Sequence, residues 1–422
     1  MNAPVERGAA GFLARYQALR GVLPGDSALR AAAADAFRAA GLPGGTQQQR
    51  RTEAWKYTSL RPLAQTTFQT HVDMPDPGRL DAAQARLPRL AGPRLVFVDG
   101  QFCAPLSQAP AGFARFADQP DFGTLTWPDR EPMVALNTML AHDGAALRVR
   151  AGTDAGLVQL VSLALTPTAF HPRHAIHLEA GARLTVLEVS AGNGRSLNNT
   201  VIEVHVGTGA ALTHVRLQDE AHDAFHVSTI YARVADGGTY DSFTLNLGSQ
   251  LARTELRVDL AGPGATAHLN GAQLLAGIQH ADFTTVVRHV APRGTSRQTV
   301  KNVLAGRSRG VFQGRIEVAR AAQKTDGYQM NQALLLSPDA EIDTKPELEI
   351  FADDVKCSHG ATVGELDSAQ LFYLQSRGVP EAQARSILVR AFLAEALDAV
   401  TDEAVRGVLE DSVEQWWRRQ AA

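Results

Sequence analysis

The residues best suited to chemistry in this sequence lie in one short stretch, DDVKCSHGATVGELD, Asp353 to Asp367, where Cys357 and His359 stand two residues apart. In an extended segment, residues i and i+2 share a face, so a sulfur and an imidazole are presented on one surface. Three roles fit that pair. A Cys–His nucleophile pair needs a third, orienting group, and no such group is identifiable in the sequence. A soft and a borderline ligand suit a metal whose coordination another chain completes. The third role is that of core residues, the commonest fate of a lone buried cysteine. The chain has only two cysteines, Cys103 and Cys357, and no CxxC. A complete thiolate cage for zinc or an iron–sulfur cluster therefore cannot come from this chain alone, and any metal site here is mixed or shared.

Other constellations carry less. His171, His174 and His177 in HPRHAIH, and His222 and His226 in HDAFH, suggest metal ligands by residue type. The second pair has the i, i+4 spacing of a helical zinc site but sits in strand-patterned sequence without the HExxH glutamate. On a strand, His174 and His177 point to opposite faces. Solvated or locally hydrogen-bonded histidines are the expectation for both groups. No GxxxxGK[ST] loop and no GxSxG elbow occurs, which removes the support for a nucleotide hydrolase or a hydrolase of the elbow type. There is no dinucleotide fingerprint, and so no basis for assigning flavin to this chain.

These residues need a scaffold, and the 422-residue chain changes pattern three times. Residues 1–90 read as a helical domain with a connector. Ser27 is placed to cap ALRAAAADAFRAA, and Gly41 with Pro43 ends that helix. Residues 91–144 hold a hairpin, RLVFVDGQF, and a linker into the core, with Cys103 expected as a small buried residue. From 145 to 363 come short runs alternating at period two, such as RLTVLEVS, TVIEVHV and TELRVDL, with no helical stretch. Turn signals recur at Gly181, Gly209, Gly238, Gly264 and Gly294, a spacing of about 26 to 30 residues that points to stacked coils. An antiparallel sandwich is the competing arrangement, and the steady period favours a β-helix.

Residues 364–422 return to helix. Asp367 and Gln370 form a capping pattern before LFYLQSR, and Gly378 closes that helix. Pro380 and Glu381 start a second, whose apolar residues cover more than one stripe, so it is expected to be sandwiched. A last helix, capped by Thr401, carries Val405, Leu409, Val413 and Trp416 on one face. Composition is that of an ordinary globular protein, 45 % apolar and 20 % charged. The net charge of −3, with acids and bases interspersed, gives no footprint for nucleic acid or membrane. The opening MNAPVERGAAGFLARYQALRG lacks a signal-peptide core, and no run approaches the roughly 18 apolar residues of a spanning helix. A cytoplasmic location is expected.

The run from Thr325 to Val379, TDGYQMNQALLLSPDAEIDTKPELEIFADDVKCSHGATVGELDSAQLFYLQSRGV, closely resembles the C-terminal core of the SufB/SufD family of iron–sulfur cluster assembly proteins. RTEAWKYTSL and HPRHAIHLEAGARLTVLE are similar to the same family, so the resemblance touches all three regions. CSHGATVG stands where the SufB branch has a Glu-His-Glu-Ala-Thr stretch, and the extra cysteines of that branch are missing, which favours the SufD branch. The resemblance implies a mainly β fold: a right-handed parallel β-helix flanked by N-terminal and C-terminal helical domains. It implies a non-enzymatic scaffold subunit working with a SufB-like paralogue and a SufC ATPase, and through that complex with a cysteine desulfurase system. His359 matches the histidine implicated in building the nascent cluster at the heterodimer interface. Cys357 matches a neighbouring cysteine whose role is less defined. On this view the chain holds no cofactor alone, and a transient iron–sulfur cluster forms at the shared interface. The helices from Asp367 and Pro380 match the ATPase-docking region, with Phe372, Tyr373, Arg377, Leu388 and Phe392 as contact candidates, although packing within the helical domain accounts for them too. A homodimer is left open when the paralogue is absent. Two other readings remain. A purely structural partner would give His359 no ligand role. A β-helix enzyme acting on carbohydrate needs converging acids, but Asp353 and Asp354, adjacent in sequence, point apart.

Overall fold

The computed structural model describes residues 5–44, 53–70, 77–85, 87–118 and 122–421. Residues 47–52, including the first two of RTEAWKYTSL, and residues 74–76 of the connector lie outside them. The protein is mainly β, a solenoid of about eight turns with helices at both ends.

The N-terminal region contains helices α1 (Gly8–Leu19), α2 (Ser27–Ala40), α3 (Arg61–Gln65) and α4 (Pro77–Gln84). It is not wholly helical: β1 (Val5–Arg7) and β2 (Thr67–Gln69) pair as an antiparallel ribbon. The cap of α2 is Asp26 rather than Ser27. Its carboxylate accepts from the N–H groups of Ala28 and Leu29, the donors a helix start leaves unpaired, while Ser27 is already helical. The expected hairpin is β3 (Arg94–Val98) with β4 (Gln101–Phe102), turning through Asp99 and Gly100, both at positive φ. Cys103 follows it and is buried. After β5 (Phe113–Arg115), a helix that the sequence pattern had not suggested, α5 (Pro132–Leu140), is buried along its whole length from Met133. Burial on all sides removes the amphipathic period by which a helix is read.

From residue 145 the chain winds between two sheets. One takes β7 (Asp154–Ala164), β10 (Arg183–Gly192), β12 (Ala211–Asp219), β14 (Thr239–Asn246), β16 (Thr266–Leu275), β18 (Thr295–Leu304), β20 (Asp326–Leu335) and β22 (Lys356–Gly364), with β3 and β4 at its far edge. The other takes β6 (Ala145–Val149), β9 (Arg173–Leu178), β11 (Leu197–Val206), β13 (Phe225–Val234), β15 (Leu251–Leu260), β17 (His280–His289), β19 (Arg309–Val318) and β21 (Glu341–Ile350), with the short β8 (Ala169–Phe170) beside β11. Neighbouring coils pair in parallel: Arg183, Ala211, Thr239, Thr266, Thr295, Asp326 and Lys356 stack in one register. That stacking is the parallel solenoid, and it excludes the antiparallel sandwich.

The glycine period marks one set of corners, with two displacements. The left-handed residue of the third turn is Gly237, not Gly238, and of the fifth Arg293, not Gly294. Gly294 is needed for another reason: a Cβ there would lie 2.8 Å from His289 Nδ1. Apolar residues fill the lumen of the early coils, among them Leu184, Ile202, Leu212, Ile230, Tyr240 and Leu269. Toward the C-terminal end the lumen becomes polar. Asn246, Gln273, Asn302 and Asn331 stack rung on rung, Gln273 Nε2 donating to Asn302 Oδ1 and Asn302 Nδ2 to Asn331 Oδ1, each at 2.7 Å. Every buried amide in such a column needs its neighbour, because an unmet partner is costly in a dry interior.

Helices α7 (Glu381–Leu397) and α8 (Glu403–Ala421) cover the outer face of the even-numbered sheet, the one that ends in β22, and α6 (Ser368–Ser376) lies against α7. The sandwiched character of α7 comes from within the chain, since Val389, Leu393, Ala396 and Leu397 share a core with Val303 and Leu334 of the sheet and Leu409 and Trp416 of α8. Val405, Leu409, Val413 and Trp416 are buried on one face, as their spacing requires. The donor at the start of α8 is met by Asp402 rather than Thr401, its carboxylate accepting from Val405 N–H at 3.0 Å. Among the described residues no helix is long and apolar enough to cross a membrane.

Candidate functional site

A solenoid must end somewhere, and here the last coil ends uncovered. β21 and β22 are the terminal strands of their sheets, each paired on one side only. The inward ladder of β22 is read from its register: Cys357 lies on Gly327, His359 on Gln329, Ala361 on Asn331 and Val363 on Ala333. Gln329 and Asn331 are fully buried one coil below, whereas His359 and Val363 are exposed. On β21, Ile342, Thr344 and Leu348 are half-buried, and Ile350 and Phe351 at its end are 40 % and 66 % exposed. Thus the interior of the solenoid comes to the surface at this end, with apolar groups, an imidazole and two strands whose outer backbone groups lack a neighbouring strand. Pro346 in the middle of β21 has no N–H to offer, as suits an edge strand.

Both candidate residues sit on β22 and on one face of it, as their spacing requires. Their environments differ. Cys357 is half-buried and packs beside Ile316, Leu348 and Val355. Burial pushes its thiol above the ordinary range, Asp326 adds to that, and a backbone hydrogen bond from Gly327 opposes it. The sulfur is therefore held as a thiol in this chain by itself, which argues against a free nucleophilic thiolate. Gly360 pairs with Met330 of the coil below, where a Cβ would fall 2.7 Å from the flexible end of that side chain, Met330 Cε. Among the described residues no group of three or more His, Cys, Asp or Glu side chains is arranged to hold a metal ion. What this face offers is an exposed imidazole with a half-buried thiol beside it.

The helical candidates fall into two groups. Asp367 caps α6 by accepting from Ala369 N–H at 2.8 Å and Gln370 N–H at 3.0 Å, and Gly378 at positive φ follows the helix. No residue of α6 is buried, and Phe372 and Tyr373 are 71 % and 58 % exposed. The Arg377 guanidinium lies 5.2 Å from the Tyr373 ring centre. On α7, Leu388 is half-buried, and Phe392 packs inward with Lys301 Nζ 4.6 Å from its ring centre.

Of the other histidines singled out in the sequence, His171, His174, His177 and His226 have structural surroundings. His174 accepts from Ala145 N–H at 2.9 Å inside the lumen, and burial pulls its value down to about 4. His171 is buried beside Asn199, and His177 stacks on His205 with ring centres 5.4 Å apart. His226 pairs with the buried Glu220 at 2.9 Å, and His222 is exposed. Asp353 and Asp354 are exposed residues of the bend before β22.

Sequence reasoning missed the use made of residues 53–60 of RTEAWKYTSL, a strap across the outer face of the odd-numbered sheet, the one that ends in β21. Trp55 lies against Arg253 of β15, 4.2 Å from its guanidinium carbon to the ring centre. Thr58 hydrogen-bonds Asp282 and His280 of β17, and Glu53 pairs with Lys345 of β21 at 2.6 Å. Arg253 and Asp282 form a buried ion pair beneath it. No local signal marks this use, because the groups the segment meets lie on strands that only the stacked coils bring alongside it.

The family model described as the SufBD core domain of SUF-system iron–sulfur cluster assembly matches residues 162–392. The chain is 34 % identical to the iron–sulfur cluster assembly protein SufD of Escherichia coli K12 over 368 residues, 85 % of this chain and 86 % of that one. It is 31 % identical to an iron–sulfur cluster assembly SufBD family protein of Synechocystis over 415 residues, 91 % of this chain and 89 % of that one. A chloroplastic protein of Arabidopsis thaliana, ABCI7, is 34 % identical over 240 residues, covering 56 % of this chain and 50 % of its own length. The matched core holds the later coils, the open end with Cys357 and His359, and α6 with most of α7, so the chain belongs to the SufBD family of the SUF iron–sulfur cluster assembly system.

Proposed function

We propose that this chain is a SufD-type, non-enzymatic scaffold subunit that pairs through its open solenoid end with a SufB-like paralogue and helps form a nascent iron–sulfur cluster there. The observation that carries this is the uncovered last coil, where His359 is exposed on the inward ladder of an edge strand. A second chain seated on β21 and β22 covers Ile350, Phe351 and Val363 and brings its own side chains to His359. The cluster is cargo. This chain supplies the His359 imidazole, Cys357 is a secondary ligand that must lose its proton on binding, and the partner completes the set. The exposed Phe372 and Tyr373 with Arg377, backed by Leu388 and Phe392, form the docking surface for an ABC-type SufC ATPase.

The test is co-expression with SufB-like and SufC-like partners, comparing wild type with His359→Ala and with Phe372→Ala/Tyr373→Ala. The first variant is expected to assemble a complex with less bound iron and sulfide, and the second to lose the ATPase. Unchanged cluster content in the His359 variant removes the ligand role. Undiminished ATPase co-purification with the double variant removes the docking role.

A further inference from the structure

Midway along the solenoid, polar side chains enter the lumen beside its apolar filling. Arg216 of β12 and Thr244 of β14 share a face with Leu212 and Tyr240, and Ser228 of β13 and Thr254 of β15 share one with Ile230 and Leu256, so all four project inward. On one sheet Arg216, Thr244 and Gly271 stack in register, and on the other Ser228, Thr254 and Phe283 do. Two contacts cross the lumen and fix which residues face each other. Arg216 Nη2 donates to Ser228 Oγ, and the Phe283 ring reaches over Gly271, where a Cβ would stand 2.9 Å from Phe283 Cε2. Thr244 and Thr254 occupy the rung between those contacts, so they face each other as well.

Both threonines are fully buried, and neither hydroxyl has a hydrogen-bond partner among the described residues; nor has Arg216 Nη1. The other two nitrogens of Arg216 decide where Nη1 points. Nε donates to Glu188 of the preceding coil at 2.8 Å and Nη2 reaches across the lumen, so the planar fork turns Nη1 toward the following coil, where the threonines are. Three unmet polar groups therefore meet in one chamber, floored by the Arg216–Glu188 pair and roofed by Phe283. Facing sheets stand about 10 Å apart, and two side chains as short as threonine do not touch across that gap.

The charges set the kind of occupant. Burial opposes ionisation of Glu188, but the charge of Arg216 and then the hydrogen bond from His214 outweigh it and hold the carboxyl well below its usual range. His214 itself is lowered by burial and is neutral at pH 7. Arg216 is thus already balanced by Glu188, which leaves no charge for an ion to match. Nη1 only donates, whereas the two hydroxyls accept as well. A water molecule has the complement: it accepts from Nη1 and donates to Thr244 Oγ1 and Thr254 Oγ1, about the three hydrogen bonds a buried water makes.

We propose that a structural water is built into the lumen at this rung, bridging Arg216 Nη1, Thr244 Oγ1 and Thr254 Oγ1 and so joining the two sheets where no side chain spans them. The site is independent of the cluster-assembly reading, because none of its residues lies on β21, β22 or the C-terminal helices.

A crystal structure of the full chain at a resolution that shows ordered water tests it, together with denaturant unfolding of Thr244→Val and Thr254→Val, which exchange each hydroxyl for a methyl of the same shape. One isolated density peak is expected within hydrogen-bond distance of all three groups. Each valine variant is expected to raise the unfolding constant by about tenfold, because it takes a partner from a buried water. A dry chamber gives the opposite sign, since valine then relieves an unmet hydroxyl and stabilises the chain. The proposal is overturned by an empty chamber, by a peak that bromide replaces in crystals grown with that ion, or by valine variants at least as stable as wild type. Where a variant fails to fold, the wild-type density alone decides.

Discussion

At the scale of residues, the pair that share a face of β22 do not share an environment. Cys357 is tucked against Ile316 and Leu348, while His359 two positions on is exposed, because the coil that would cover it is absent from this chain. The raised thiol value makes a reactivity prediction. At pH 7.5 the thiolate fraction of Cys357 is smaller than that of an ordinary cysteine, so alkylation by iodoacetamide is expected to be slower in the folded chain than in urea. Cys103, buried behind the hairpin, is expected to stay unlabelled until unfolding. Peptide mass spectrometry over a time course reads both, and labelling of Cys357 at the rate of the unfolded chain would contradict the environment described here.

Among the described α-helices, α6 is the one most lightly held. It buries none of its residues, and its first turn depends on the Asp367 carboxylate. Asp367→Ala is expected to destabilise that helix by about 1 kcal/mol, the usual worth of a cap. Because α6 contributes nothing to a core, the loss stays local. Amide exchange in residues 368–376 should quicken while the melting temperature of the whole chain holds. A fall in global stability as large as the local one would show that α6 is coupled to the solenoid more tightly than its burial implies. Helix α8 behaves oppositely: Trp416 is fully buried against the even-numbered sheet, so its removal is felt throughout.

Over the whole molecule, buried histidines tie stability to acid. His174 in the lumen and His289 at the end of β17 are held to about 4 by burial, and His214 and His280 are lowered for the same first cause. Unfolded, each imidazole takes a proton as the pH falls through about 6.5, whereas His174 and His289 in the folded chain stay neutral until about 4. Between those limits the unfolded state binds more protons, so stability falls as acid is added, by about 2 kcal/mol at pH 5 for each such histidine. Denaturant unfolding at pH 7, 6 and 5 should show this slope. His289→Gln keeps an amide nitrogen near Ser296 Oγ, which His289 Nε2 meets at 2.9 Å, and cannot titrate. A slope as steep in that variant as in wild type would rule out His289 as a contributor.

Much of this was legible in one dimension because the physics behind it is local. Period-two patterns with turns at Gly181, Gly209 and Gly264 mark coils, since a left-handed corner admits glycine most readily. The spacing of Cys357 and His359 fixes their common face, and Asp367, Gly378 and the Trp416 stripe fix helix ends and faces. The misses had causes of the same kind. Asp26 and Asp402 outrank the neighbouring Ser27 and Thr401 because their carboxylates reach the open N–H groups. Helix α5 lost its period by being buried on every side. Tertiary structure alone decided what depends on stacking distant segments: that Gln329 is buried and His359 is not, that Trp55 lies on Arg253, and that the last coil is left open. Burial in a solenoid is conferred by the next coil, and a residue on the final rung carries no mark in its own sequence that the next coil is missing.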